Sequence, residues 1–170
     1  MIKLLLACVS AVALAATTAV AQDTTTATAT FISKAGKESG TAKLTGTDKG
    51  VLIELEVSGL PAGQWVAFHV HETGTCDHAG GHMSAGGHFN PTKAAHGFND
   101  AKGPHAGDMP NQYVAADGTL KAQVFNGFVR LDKGDNAIRG KALMIHGKAD
   151  DYKSQPAGDA GDRQSCGVIK

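Results

Sequence analysis

Short stretches in which apolar and polar residues alternate recur along the chain. The clearest runs from Val51 to Val57, where Val, Ile, Leu and Val alternate with one Leu and two Glu. A period of two places the two sets of side chains on opposite faces of a β-strand. By this pattern and the Gly, Pro, Asp and Lys-Gly turn signals around it, strands are predicted at Ala29–Ser33, Thr41–Leu44, Val51–Val57, Trp65–Glu72, Tyr113–Ala115, Leu120–Phe125 and Ile138–His146. No stretch has a sustained helical period, so the fold class is all-β, a sandwich or a barrel.

Two long segments have no hydrophobic period of their own. The first lies between Glu72 and Tyr113 and is full of Gly, His, Asn, Pro and Asp; the second runs from Gly147 to Gln164. Loops of this length in a compact domain usually carry function or are disordered. Because strands flank both, we interpret them as two ordered functional loops on a rigid scaffold.

The N-terminus has the features of an export signal. Lys3 precedes an apolar run from Leu4 to Ala16, and the small-residue triplet Ala19-Val20-Ala21 follows. This predicts a signal peptide over residues 1–21, cleaved before Gln22, with lipoprotein processing at Cys8 as the alternative. The run is too short to cross a bilayer as a helix. Residues 22–170 would then form one exported domain in the periplasm, with a Thr/Ala-rich lead over 22–28 that we expect to be disordered.

Cysteine content and charge narrow the class further. Loss of the signal peptide leaves Cys76 and Cys166, and in an oxidising compartment one disulfide is the simplest outcome. Two separate buried thiols are the alternative. The formal net charge is zero, which gives no sign of nucleic acid or an acidic surface as a partner.

The eight histidines are the most informative residues. His69 and His71 are two residues apart in an apolar strand, so both imidazoles project from one face. This signal is weak alone and is also typical of surface histidines, but further candidates follow at His88, His96, His105, Asp108 and His146. Imidazole suits copper or zinc, and three imidazoles with one carboxylate suit a closed zinc site. One redox metal beside one structural metal is a chemically consistent interpretation.

Five motifs together resemble the copper/zinc superoxide dismutase family, and their residues are most similar to its bacterial periplasmic branch. They are Phe68-His69-Val70-His71-Glu72, Gly86-Gly87-His88-Phe89-Asn90-Pro91, His105-Ala106-Gly107-Asp108, Ala142-Leu143-Met144-Ile145-His146 and Arg163-Gln164-Ser165-Cys166-Gly167-Val168-Ile169. The resemblance spans nearly all of the chain after the Thr-rich lead. It implies a Greek-key β-sandwich or flattened barrel. It also implies an enzyme that converts superoxide to dioxygen and hydrogen peroxide by copper redox cycling, with a structural zinc.

The resemblance also implies residue roles. Copper would be bound by His69, His71, His88 and His146, and zinc by His88, His96, His105 and Asp108. His88 would bridge the two metals, release copper in the reduced state and take up a proton.

Two further residues match family positions outside the ligand set. Asp150 matches a carboxylate that links a copper histidine to a zinc histidine, with a solvated loop aspartate as the alternative. Arg163 matches an arginine beside the open copper position, where a fixed cation would attract and orient the anionic substrate. An ordinary surface arginine is the alternative for Arg163. A Cys76–Cys166 disulfide would hold the loop and keep Arg163 near copper.

Some residues have no counterpart in the family pattern. Ala67 stands where the family often has Gly. We expect His78 and His82, in a loop insertion, to be surface residues, with weak auxiliary metal capture as the alternative. The resemblance allows a homodimer without defining its contacts. No membrane association is expected after signal cleavage. Two other functions stay open: a periplasmic copper or zinc carrier on the same fold, and an exported interaction domain with scattered surface histidines.

Overall fold

A computed structural model describes residues 25–170, which form a curled antiparallel sheet and two long loops. The strands are β1 (Thr25–Ser33), β2 (Glu38–Gly46), β3 (Val51–Val57), β4 (Trp65–Val66), β5 (Phe68–His71), β6 (Gln112–Tyr113), β7 (Leu120–Asn126), β8 (Ala142–His146) and β9 (Arg163–Val168). Within this range, seven strands follow the order β5-β8-β9-β1-β2-β3-β7, and β4 pairs with β6. The all-β prediction is confirmed. No helix in the described range is long and apolar enough to cross a membrane.

Strand β3 shows how the alternating pattern produces the sheet. Val51, Ile53, Leu55 and Val57 are buried, whereas the residues between them are more exposed. Both neighbours of the strand, β2 and β7, pair with it along its whole length. On the outer face, Glu56 meets Lys121 of β7 at 3.0 Å. Exposed ion pairs of this kind contribute little, so the buried apolar face provides most of the stabilisation.

One main hydrophobic core lies inside the curled sheet. It includes side chains from strands distant in sequence, among them Phe31, Leu44, Ile53, Phe68, Leu143 and Ile145, all of them fully buried. Burial of each side chain of this size contributes roughly 1.5–3 kcal/mol. The core therefore fixes β5 and β8, the two strands that bear three of the candidate histidines.

The first strand begins earlier than predicted. The expectation of a disordered lead over 22–28 is wrong for residues 25–28, which belong to β1. Thr28 exchanges two backbone hydrogen bonds with Lys170 at the C-terminus, at 3.1 and 2.9 Å, and it also pairs with Lys43 of β2. β-Branched threonines suit such a strand once partners are present on both sides. The predicted signal peptide and residues 22–24 lie outside the described residues.

The segment predicted as one strand over Trp65–Glu72 divides at Ala67. Its backbone N–H donates to the carbonyl of Lys148 and its carbonyl accepts from the N–H of His146, so β4 and β5 pair with different partners.

The strand predicted at Ile138–His146 begins only at Ala142, because the N–H groups of Ile138 and Arg139 donate to the carbonyls of Arg130 and Leu131. Strand β9 was not predicted. It completes the sheet between β8 and β1.

The predicted disulfide is present. Cys76 in the first long loop joins Cys166 in β9, with a Cα–Cα distance of 5.6 Å across 90 residues. By the chain-entropy model, closing a loop of this size stabilises the fold by on the order of 4–5 kcal/mol. The bridge also fixes the start of the first loop against the strand that begins with Arg163.

Candidate metal centre

Two adjacent strands and the first long loop bring the candidate side chains together. β5 carries His69 and His71, and β8, which pairs with β5, ends at His146. Isolated β-bridges then attach the loop to β5, His88 beside His71 and Asp108 beside His69. Backbone bonds of Val70 with Gly107 and Phe89, each of 2.8 Å, hold both loop segments in place.

The structure gathers seven side chains into two groups that share one histidine. In each group the possible ligand atoms all lie within 4.8 Å of one another, and every member is buried. The first group is His69, His71, His88 and His146, and the second is His88, His96, His105 and Asp108. In the described part of the chain these are the two groups of three or more such side chains that could hold a metal ion.

In the first group, hydrogen bonds to carbonyl oxygens define the free nitrogens of two imidazoles. Nδ1 of His71 donates to the carbonyl oxygen of Gly86 at 3.0 Å, and Nδ1 of His146 lies 3.4 Å from that of Gly161. A carbonyl oxygen only accepts, so each Nδ1 carries the proton. The two Nε2 atoms, 3.3 Å apart, are therefore left with lone pairs facing each other.

His69 and His88 complete this group in opposite orientations. Nε2 of His69 lies 2.8 Å from Oδ2 of Asp150, which leaves its Nδ1 buried without a hydrogen-bond partner. His88 has Nδ1 2.9 Å from Oδ1 of Asp108, and its Nε2 is the buried atom without a partner. The two ring centroids are 3.9 Å apart, and the ring planes are tilted by 35°. Each ring thus offers one lone pair to the first group.

The second group surrounds the carboxylate of Asp108. Nδ1 of His96 is 3.1 Å from its Oδ2, and Nδ1 of His105 is 3.4 Å from its Oδ1. The Nδ1 atoms of His88 and His105 are 3.5 Å apart. Oδ2 also accepts from the backbone N–H groups of Gly97 and His105, both at 3.0 Å. Asp108 is therefore fixed with Nδ1 atoms of three imidazoles around it.

These donor sets fit copper and zinc. Buried polar atoms almost always have partners, yet Nδ1 of His69 and Nε2 of His88 are buried and have none. Metal ions satisfy such atoms. Four imidazoles suit copper, and three imidazoles with one carboxylate suit zinc.

The electrostatics favour neutral imidazoles in the first group. Burial, followed by the neighbouring charge of His69, lowers the pKa of His88 from 6.5 to about 4. Burial also lowers the pKa of His71 and His146 well below the usual value, with further lowering by other histidines in the group. A neutral imidazole is the form that binds metals, so these side chains are already in the ligand state.

His96 behaves in the opposite way. Burial disfavours its charge, but hydrogen bonds with Asp108 and Asp150 outweigh this effect and raise its pKa to about 9. In the metal-free protein a proton therefore offsets part of the negative charge of the two carboxylates. A divalent cation bound to the second group would replace that proton.

Asp150 joins the two groups. Its Oδ2 accepts from Nε2 of His69 at 2.8 Å, and its Oδ1 lies 3.0 Å from Nε2 of His96. The amide of Asn111 holds the Asp150 backbone through two hydrogen bonds of 2.8 Å. Sequence reasoning missed Asn111, although it lies three residues after Asp108 of the His105-Ala106-Gly107-Asp108 motif.

Arg163 lies at the edge of the first group. Its Nη1 donates to the carbonyl oxygen of His82 at 2.8 Å, and its Nη2 donates to that of Gly86 at 2.7 Å. A cavity of about 690 Å³, here called the Arg163 cavity, includes Arg163, His146 and Gln155 among its lining residues. Lys34 also lines it, and its Nζ pairs with Asp162 of the same wall at 3.0 Å. Sequence reasoning missed Lys34, which comes from the β1–β2 turn.

One expectation about the loop insertion is wrong. His82 is 0% exposed, not a surface residue, whereas His78 is exposed as expected. The carbonyl oxygen of His82 accepts from Arg163, and its N–H donates to the carbonyl oxygen of Asp77. These two hydrogen bonds hold the residue in a buried position. Neither histidine belongs to the two metal-binding groups.

The fold and site together define a β-protein in which two adjacent metal-binding groups lie beside a cavity lined by the Arg163 guanidinium. The model of the family described as copper/zinc superoxide dismutase matches residues 38–169, and the chain belongs to this family.

Relatives and solved structures agree with this assignment. A superoxide dismutase [Cu-Zn] of Aquifex aeolicus is 50% identical over 146 residues, covering 84% of this chain and 86% of the relative. One of Caulobacter vibrioides is 39% identical over 151 residues, with coverages of 84% and 85%. Among solved structures, a superoxide dismutase-like protein from Bacillus subtilis has a TM-score of 0.80 at 35% identity, covering 84% of this chain and 97% of that one. The Brucella abortus Cu/Zn enzyme has a TM-score of 0.71 at 28% identity, with coverages of 86% and 100%.

Proposed function

We propose that this protein is a superoxide dismutase, which converts two superoxide anions and two protons into dioxygen and hydrogen peroxide. The observation that carries the proposal is that two buried metal-binding groups share His88, and that the first of them reaches, through His146, a cavity lined by Arg163. The names of the Aquifex and Caulobacter relatives support it. The Bacillus protein is described only as superoxide dismutase-like, so the case for this chain depends on its own side chains.

Copper would be held by Nδ1 of His69 and by Nε2 of His71, His88 and His146. Zinc would be held by Nδ1 of His88, His96 and His105 and by the carboxylate of Asp108. When bound, copper supplies the redox chemistry, taking one electron from one superoxide and giving it to the next, while zinc keeps its charge. Four imidazoles without a carboxylate suit copper in the first group, and the added carboxylate suits zinc in the second.

His88 is the proposed proton carrier. Its Nδ1 faces the second group, and its Nε2 faces the first without another partner. Nε2 can therefore hold a proton when it does not act as a ligand, and it can give up that proton to the departing peroxide.

Arg163 would bind and orient superoxide. Two carbonyl oxygens fix its guanidinium, so the cation loses little side-chain freedom when an anion arrives. Its place on the cavity wall with His146 would direct the anion toward the first group.

Asp150 would orient one imidazole in each group. By accepting from Nε2 of both His69 and His96, it leaves Nδ1 of each ring for a metal.

We also propose export of the protein to the periplasm after removal of residues 1–21. The Cys76–Cys166 disulfide supports this location, because such bonds persist in oxidising compartments.

Reconstitution tests the function. Metal-free protein is loaded with copper and zinc, the bound metals are quantified by mass spectrometry, and superoxide consumption is measured against zinc-only protein. We expect copper and zinc to bind together and turnover to require copper. Copper binding without turnover would instead identify a metal carrier, and absence of both metals would identify an interaction domain.

A further inference from the structure

The side-chain amide of Gln155 forms a two-point contact with the backbone of His96. The His96 N–H donates to Oε1 of Gln155 at 2.8 Å, and Nε2 of Gln155 donates to the His96 carbonyl at 3.0 Å. The two residues are 59 positions apart and lie in different long loops. One side chain thus satisfies both backbone polar groups of a residue in the second group. This group is the proposed zinc site and is called the zinc-binding group below.

This contact determines how the His96 ring approaches its neighbours. The residue is fully buried, so its peptide groups have no access to water as an alternative partner. Two hydrogen bonds at one residue fix both its position and its tilt, and Asp150 fixes the far end of the ring at Nε2. With both ends held, Nδ1 is directed toward Asp108 at 3.1 Å.

The surrounding residues show that the second loop is closely docked here. The N–H of Asn99 donates to the carbonyl of Tyr152 at 2.9 Å, and the Phe98 and Tyr152 rings are 5.4 Å apart. Gly97 has φ +95°, and a Cβ added there would come within 2.0 Å of the same carbonyl. Close backbone approach therefore requires glycine at this position. Gln155 acts at a tight interface between the loops.

Gln155 also faces the Arg163 cavity. Its neighbours Ser154 and Pro156 line the same cavity, together with His146 and Arg163. A residue that contacts the backbone of His96 thus forms part of the wall on the proposed substrate path.

We propose that Gln155 is a positioning residue for the zinc-binding group, acting through the backbone of His96. By the same contact, zinc binding holds the 154–156 segment of the cavity wall in place. This inference rests on the proposed function, which assigns His96 to zinc.

The test compares zinc dissociation constants by chelator competition. Gln155→Met keeps an unbranched side chain of similar size but removes both hydrogen bonds to His96, together with one from Nε2 to the Lys153 carbonyl. Gln155→Glu keeps the acceptor but turns a carboxylate oxygen toward the His96 carbonyl. We expect both variants to bind zinc about 10–100-fold more weakly than wild type, the range typical for partners that orient metal ligands. Gln123→Met, which removes only an exposed bond to Glu54, is the matched control and should bind like wild type.

A second readout separates positioning from general stability. The spectrum of cobalt(II) in the zinc-binding group, recorded without denaturant where each variant is folded, should change in both Gln155 variants, a change that lower overall stability alone would not produce. Hydrogen exchange in wild type adds a test that needs no variant: zinc should slow exchange over residues 153–157, a segment without a proposed ligand.

The outcomes are distinct. If wild type binds zinc and both Gln155 variants have the same dissociation constant as the control, this inference alone is overturned. Failure of wild type itself to bind zinc would overturn the proposed function and this inference together.

Discussion

His71 and Arg163 donate hydrogen bonds to the same acceptor, the carbonyl oxygen of Gly86. Nδ1 of His71 lies 3.0 Å from this oxygen, and Nη2 of Arg163 lies 2.7 Å from it. One backbone group therefore fixes the tautomer of a proposed copper ligand and the position of the proposed anion-binding cation. The Cys76–Cys166 bridge restrains both ends of this arrangement, because it joins the loop to the strand that begins with Arg163.

Replacement of Arg163 by alanine should slow turnover without loss of metal. In the proposed role its cation would attract superoxide, but none of its atoms belongs to a metal-binding group. We expect the second-order rate constant at low ionic strength to fall about tenfold or more, with wild-type copper and zinc content. Lys121→Ala removes the same charge from the outer face of β7, where Lys121 pairs with Glu56, and should have little effect. Equal rates for Arg163→Ala and Lys121→Ala would contradict the role.

Replacement of Asp150 by leucine should weaken both metals at once. Leucine has a similar shape, but it has no oxygen that can accept from the Nε2–H of His69 or of His96. We expect dissociation constants for copper and zinc to rise about 10–100-fold, as measured by chelator competition. Asp151→Leu removes the adjacent exposed carboxylate, which caps the turn at Lys153 and Ser154, and serves as the control. A change in one metal alone would show that Asp150 does not couple the groups.

Replacement of Asp108 by alanine should remove zinc and lower stability. The carboxylate supplies the only oxygen ligand of the proposed zinc set, and a structural metal contributes its binding free energy to folding. Zinc content and the thermal midpoint of the metal-loaded protein should both fall. Asp100→Ala, in the same loop, removes only a bond to the Lys102 N–H and should leave zinc unchanged. Full zinc occupancy in Asp108→Ala would contradict the assignment.

Local pattern predicted the strands that have ordinary sheet neighbours. Val51–Val57 has the predicted limits because its alternation and its turn residues are both local signals. The start of β1 depends instead on pairing of Thr28 with the distant C-terminus, and the break at Ala67 depends on Lys148 and His146. Such long-range hydrogen bonds leave no periodic signature in the sequence, so these limits could not be predicted.

The residues of the two metal-binding groups could be named from the sequence because their motifs are distinctive. Of the residues that support them, Asp150 and Arg163 could be named by their match to family positions, whereas Asn111 and Gln155 could not. Asn111 and Gln155 are polar loop residues, and only the docking of two distant loops gives them partners. The burial of His82 likewise follows from its contact with Arg163, 81 positions away.

Acid should destabilise the metal-free protein. His88 has its pKa lowered from 6.5 to about 4, mainly by burial, so below pH 6.5 the unfolded chain binds more protons than the folded chain. The contribution of His88 to stability is therefore full above pH 6.5 and is lost as the pH falls toward 4. It is on the order of 3 kcal/mol. His71 and His146 act in the same direction.

His96 opposes this trend at high pH. Its pKa is raised to about 9, so its contribution is full below pH 6.5 and lost as the pH rises through 9. Urea unfolding of the metal-free protein should give a lower free energy of unfolding at about pH 5 than at about pH 7. Equal values at the two pH values would contradict the burial of these histidines in neutral form.

The most direct test of a copper redox centre beside an anion-binding arginine follows the copper(II) absorption band while superoxide is generated by pulse radiolysis. We expect the band of the copper- and zinc-loaded protein to fall to a steady level, at which reduction and reoxidation of copper by superoxide are equally fast, while superoxide is consumed catalytically with one dioxygen and one peroxide formed per two superoxide anions. A band that stays constant while superoxide decays at its uncatalysed rate would contradict it.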